Sequence, residues 1–240
     1  MTDSKKRIGF DRYVQLAWCR AALDVAVGRQ SLDDLDELVG RTLSGLESRR
    51  KTIDVLNRLW IKPFPDLKHF GRRGVDIYSA LGESALLPLC WGASIATYPF
   101  FGKVAEITGR LFNLQDDCSI AEVQRRMAEV YGERDGINRA TSRVLQSQAD
   151  WDAVARTENG KRLIHQTPLT LTEEKLVVWL VEATLRYAEK ALSVSTLQSM
   201  AVIYPFAINL PLAYVLSNSQ TLELHTEGSG NQLVALRDAI

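Results

Sequence analysis

"SIAEVQRRMAEVYGERDGINRATSRVLQS", residues 119–147, decides how the chain is read. Ser119 stands three places before Glu122, the spacing of a capping box, so a helix is predicted to start here. Ile120, Val123, Met127 and Val130 recur at helical spacing and are expected to face inward. The string "GERDG" (132–136) then breaks the pattern. A second helix is predicted over 136–148, with Ile137, Ala140, Thr141, Val144 and Leu145 on its inner side. Asn138, Arg139, Ser142, Arg143 and Gln146 fall together on the outer side as one polar stripe.

Downstream, "DAVARTENGKRLIHQT" (152–167) sets Asn159-Gly160 between two strand-like pieces, a strong hairpin signal. Helix, break, helix and hairpin is the order of a winged helix-turn-helix, assigned here to residues 118–170. A weaker echo follows in 171–240, expected to be a winged-helix-like module. A long helix is predicted over 171–192 with Thr172 as its cap, then short helices over 195–204 and 209–219. A hairpin over 221–236, turning at Gly228-Ser229-Gly230, closes it. "TENGKRLI" (157–164) and "TEGSGNQLV" (226–234) are alike enough to suggest an internal repeat. Either hairpin also fits an ordinary antiparallel ribbon.

Upstream, residues 1–117 read as an N-terminal helical domain. "FDRYVQLAWCRAALDVAVG" (10–28) places Tyr13, Leu16, Ala17, Leu23 and Val27 near one face and ends on Gly28. Ser31 with Asp34 is a weaker capping-box variant. "GLESRRKTIDVLNRLW" (45–60) is predicted to bury Leu46, Ile53, Leu56 and Trp60. "KPFPDLKHFGRRG" (62–74), with two prolines and two glycines, reads as a connection plus a short helix. "YPFFGKVAEITGRLFNL" (98–114) is amphipathic, with Val104, Ile107, Leu111 and Leu114 in step. The expected fold is therefore mainly α: an N-terminal helical bundle, then winged helix-turn-helix units with small β-hairpin wings.

The 240 residues carry 29 basic and 29 acidic side chains, which argues against indiscriminate coating of nucleic acid but permits a local basic patch. Residues 173–240 hold four basic and seven acidic residues and are the least suited to face phosphate. The apolar runs 85–101 and 200–216 span 17 residues each and contain two prolines apiece, so core helices interrupted by turns are expected, with no membrane partner. Cys19, Cys90 and Cys118 are scattered and lack CxxC spacing, and "MTDSKKRIGF" has no apolar signal core; both favour a cytoplasmic location.

The stripe Asn138, Arg139, Ser142, Arg143 and Gln146 suits a helix in a major groove. Arginine can bond bidentately to guanine, and asparagine or glutamine to adenine. Arg134, Arg156, Lys161 and Arg162 stand where they can hold phosphates, which positions a protein without reading sequence. A second phosphate strip is suggested by Arg49, Arg50, Lys51 and Arg58. A solvated helix face, or one that binds protein subunits, fits the same patterns. "NLPLAYVLSNS" (209–219) has no cation and is expected to pack on the rest of the chain or on a partner. His69, His165 and His225 are far apart, and no phosphate loop or nucleophile elbow occurs, so no metal, cofactor or catalytic residue is assigned.

The chain resembles BrxA-type accessory proteins of BREX phage-defence systems. The likeness covers about residues 40–165: the arginine-rich "GLESRRKTIDVLNRLW", the apolar "YPFFGKVAEITGRLF", and the pair of helices at 119–147 closed by Trp151. It implies a compact, mostly helical, non-catalytic defence component that contacts DNA or sister subunits. The C-terminal 70 residues extend beyond that pattern.

Overall fold

A computed structural model describes residues 8–157, 159–227 and 231–237. The protein is mainly helical, with small antiparallel sheets and one parallel strand pair. The N-terminal helices are α1 (Leu16–Val27), α2 (Leu32–Gly40), α3 (Leu46–Leu56), α4 (Lys68–Leu81) and α5 (Leu86–Thr97). A π-turn, Asn57–Ile61, follows α3, and a short 3-10 turn, Pro65–Leu67, leads into α4.

Next come α6 (Pro99–Phe112), β1 (Asp117–Ser119), α7 (Ile120–Tyr131), α8 (Asp135–Asp150), β2 (Val154–Arg156) and β3 (Arg162–His165). After the bridging strand β4 (Leu169–Leu171) the same order returns: α9 (Glu174–Ala188), β5 (Leu192–Ser193), α10 (Val194–Gln198), α11 (Leu212–Ser217), β7 (Leu222–Glu227) and β8 (Asn231–Leu236). Only the strand β6 (Phe206–Ile208) and a 3-10 turn, Ala201–Ile203, are added, between α10 and α11. Strand pairing repeats as well. The last strand of each unit lies in the middle, giving β1-β3-β2 and β5-β8-β7, all antiparallel.

Local chemistry explains most boundaries. Ser31 forms a complete capping box with Asp34, the pair that looked weaker. Ser119 accepts from the Glu122 amide at 3.1 Å, but the Glu122 carboxylate turns to Arg126 instead of reaching back. Gly28 ends α1 in the left-handed region, as its position predicts. α1 begins only at Leu16, so Ala17 is exposed. Pro99 opens α6 after a bend of 116° that splits the apolar run at 85–101. Among the described residues no single helix is long and apolar enough to cross a membrane.

Other expectations are corrected. α4 is a full helix across Gly71 and Gly74, which are buried in the packing rather than breaks. α9 starts at Glu174, so Thr172 is not its cap. The stretch 195–204 is one short helix followed by a 3-10 turn, and the turn at 228–230 lies outside the described residues. Leu46, Leu114 and Val130 are exposed although they fall in step with buried neighbours. Each stands at or near a helix end, where the helix has left the core.

One connected core runs from Phe10 to Val234 and holds Trp18, Trp91, Trp151 and Trp179 fully enclosed. Three of these indoles donate to distant carbonyls: Trp151 to Val14, Trp91 to Val202 and Trp179 to Phe70, at 2.9, 2.9 and 3.0 Å. Each side chain thus joins separate elements by burial and by a satisfied donor.

Candidate nucleic-acid interface

α8 is displayed by its two neighbours. Ile137, Ala140, Thr141, Val144 and Leu145 are all buried, as predicted, together with Ser147 and Gln148. The connection from α7 is only three residues, with Gly132 at φ +89, a conformation that favours glycine. Gln124 of α7 clasps α8 by donating to the Ser142 hydroxyl at 2.9 Å and to the Asn138 carbonyl at 3.2 Å. No sequence pattern marked Gln124; its spacing on α7 looks like any exposed polar residue.

The outer stripe is where the sequence places it. Arg134, Asn138, Arg139 and Arg143 are exposed, and Ser142 and Gln146 are half-buried. Arg143 is propped by the Gln146 side-chain oxygen at 3.0 Å. Arg134 donates to the Tyr131 carbonyl at 3.1 Å. Among the described residues Arg139 has no hydrogen-bond or ion-pair partner, and neither Arg134 nor Arg143 has a carboxylate. On α7, by contrast, Arg125 pairs with Glu129 and Arg126 with Glu122. Asp150, at the far end of α8, is exposed and accepts from the Tyr13 hydroxyl and the Leu16 amide. Burial, then this carboxylate, pushes the Tyr13 phenol up to about 12.

The hairpin supplies fewer free cations than its sequence promises. Asn159 organises the loop by accepting from Thr157 and from the Lys161 amide, and Gly160 sits at φ +64. Lys161 is exposed and its ammonium has no partner among the described residues. Arg156 folds onto the Gly160 carbonyl at 2.8 Å. Arg162 is held by Asp117 of β1 through two contacts of 2.6 Å. That pair holds the Asp117 carboxyl below its usual range. Arg162 therefore braces the sheet, and β1 was not visible in the sequence at all.

The second strip is largely neutralised. Arg49 is bound by Asp36, with Nε to Oδ1 at 2.6 Å, and Lys51 by Glu47 at 2.8 Å. Arg58 lies over the Phe64 ring at 4.8 Å. Arg50 alone is exposed with no partner among the described residues.

In the second unit α11 has six residues, no cation, and an exposed Tyr214. Among the described residues no group of three or more His, Cys, Asp or Glu side chains is placed to hold a metal ion. No protein-family model, curated protein or solved structure matches the chain.

Proposed function

We propose that the 118–170 segment, with α6 (Pro99–Phe112) added as its first helix, acts as a winged helix-turn-helix that binds duplex DNA, with α8 in the major groove and the β2–β3 loop on the adjacent backbone. Support comes from the helix–strand–helix–helix–strand–strand order and the central position of β3, which such a fold requires. The observation that carries the reading is the uncompensated pair Arg139 and Arg143 on the exposed face of α8. By contrast Arg125, Arg126 and Arg162 are matched to carboxylates, while Arg134 and Arg156 turn to backbone carbonyls. Asn138 and Arg139 are the base readers in this proposal, and Arg134, Arg143, Arg156 and Lys161 hold phosphates. With the resemblance to BrxA-type proteins, the chain is read as a non-catalytic part of a larger phage-defence assembly.

The test is binding to a random-sequence duplex across salt concentrations. Four phosphate contacts imply a slope of log affinity against log salt of about −3.6. No binding at low salt would sink this reading. It would favour a protein-interaction scaffold, for which the cation-free α11 with its exposed Tyr214 is the supporting feature.

A further inference from the structure

The connection between α10 and α11, residues 199–211, leaves its own unit and enters the other. Gly109 of α6 meets it face on, because a Cβ there would overlap the Ala201 carbonyl oxygen and crowd Tyr204. Trp91 of α5 donates to Val202 at 2.9 Å, and β6 runs parallel to β4, pairing Leu169 with Phe206. At its centre Tyr204 donates its hydroxyl to the Gln148 side-chain oxygen of α8 at 3.1 Å. Gln148 is fully buried, and its amide nitrogen has no hydrogen-bond partner among the described residues. The Tyr204 ring packs edge-on to Phe112 of α6 and Trp91, both at 5.4 Å, and lies 6.3 Å from His165 of β3. His165 in turn stacks on Phe112 at 4.8 Å.

One side chain of the second unit thus touches the helix, the strand and the supporting helix that together set the position of α8 against its hairpin. Gln148 lies two residues beyond the stripe, on the buried side. We propose that Tyr204 is a positioning residue for duplex recognition, and that the C-terminal unit serves as the brace that holds α8 and the β2–β3 hairpin in register with one another. This rests on the DNA reading of the first unit. Burial keeps the Tyr204 phenol protonated, so the hydroxyl stays a donor. A free first unit would have to orient the last turn of α8 without this bond and with a bare glycine face on α6.

Tyr204→Phe removes the hydroxyl and keeps the ring. Its counterpart is Tyr78→Phe, which removes a hydroxyl bond to Asp24 between α4 and α1. Both proteins are compared with wild type in binding to a random-sequence DNA duplex, well below their melting temperatures. Tyr204→Phe is expected to weaken binding about fivefold, the size of coupling a packed network transmits, and to flatten the salt slope. Tyr78→Phe should bind as wild type. Equal affinity and slope in Tyr204→Phe and wild type would overturn the brace while Arg139→Ala/Arg143→Ala still tests the reading. Equal losses in both tyrosine variants would reduce Tyr204 to a general stability role and also overturn it. If wild type binds no duplex at low salt, the reading itself fails and the brace with it.

Discussion

The two repeated units use one framework for opposite ends. In the first, the second and third helices are joined by three residues, and α8 runs for 16 residues with a polar outer face. In the second, the same joint is stretched to residues 199–211 and α11 shrinks to six residues. The middle of the long joint, residues 202–206, is buried, and the joint packs against α5, α6 and α8. A short turn thus leaves a helix free to be presented, whereas a long one spends the same position on burial. Element order and strand pairing are shared, so topology alone does not separate the units; under the proposed DNA reading, the exposed charge on the third helix is what distinguishes the first.

The contrast is most easily broken where the units meet. Gly109→Val puts a branched side chain against the Ala201 backbone, which has little freedom to move. A loss of about 3 kcal/mol is expected from overpacking. For a chain of this size that lowers Tm by roughly 6–12 °C, readable by calorimetry. A variant that melts within a degree of wild type would mean that the buried joint is not a fixed contact.

The next effect falls on the presented face. Arg139→Ala together with Arg143→Ala should weaken binding to a random duplex about 10- to 100-fold at low salt. The matched change in the second unit, Tyr214→Ala with Asn218→Ala, should leave binding unaltered. If the second pair weakens binding as much as the first, both units contact DNA and the two do not differ in role.

What the sequence could reveal follows the same division. The inner face of α8 was legible because five apolar or small residues recur at helical spacing, and all five are buried. The outer stripe was legible for the same reason. The three-residue strand β1 and the two-residue strand β5 were not, since they are too short to alternate, and they exist only because a hairpin strand pairs beside them. The pairing of Arg162 with Asp117 depends on β1, so the loss of that candidate contact was hidden too. Arg49 and Lys51 looked like a strip because their carboxylates, Asp36 and Glu47, sit on a different helix and a turn away. The reach of Tyr204 to Gln148, 56 positions away, has no local signal.

A smaller effect tests how free α8 is. Gly136 lies in its first turn with open space where a Cβ would stand. Gly136→Ala should raise stability by about 0.5–1 kcal/mol, because alanine loses less backbone entropy on folding. Thermal melts would show a small rise in Tm. A fall would mean that the start of α8 is packed against something, contrary to a presented helix.

The smallest effect separates bracing from binding within the first unit. Asp117→Asn leaves the strand in place but discharges the partner of Arg162. The freed guanidinium stands beside Lys161 at the loop, so one more phosphate contact becomes available. Duplex affinity should rise about two- to threefold at low salt, and the salt slope should steepen by about one. The pH dependence fixes the sign. Asp117 titrates below its usual carboxylate range because Arg162 stabilises its charge. The ion pair is therefore complete above the unfolded value of about 3.9 and is lost only as pH falls through the lower folded value. The gap between variant and wild type should stay constant from neutral pH down to about pH 5, well above that window. A gap that closes already at pH 5 would show that Asp117 does not clamp Arg162, and Arg162 would return to the set of phosphate contacts.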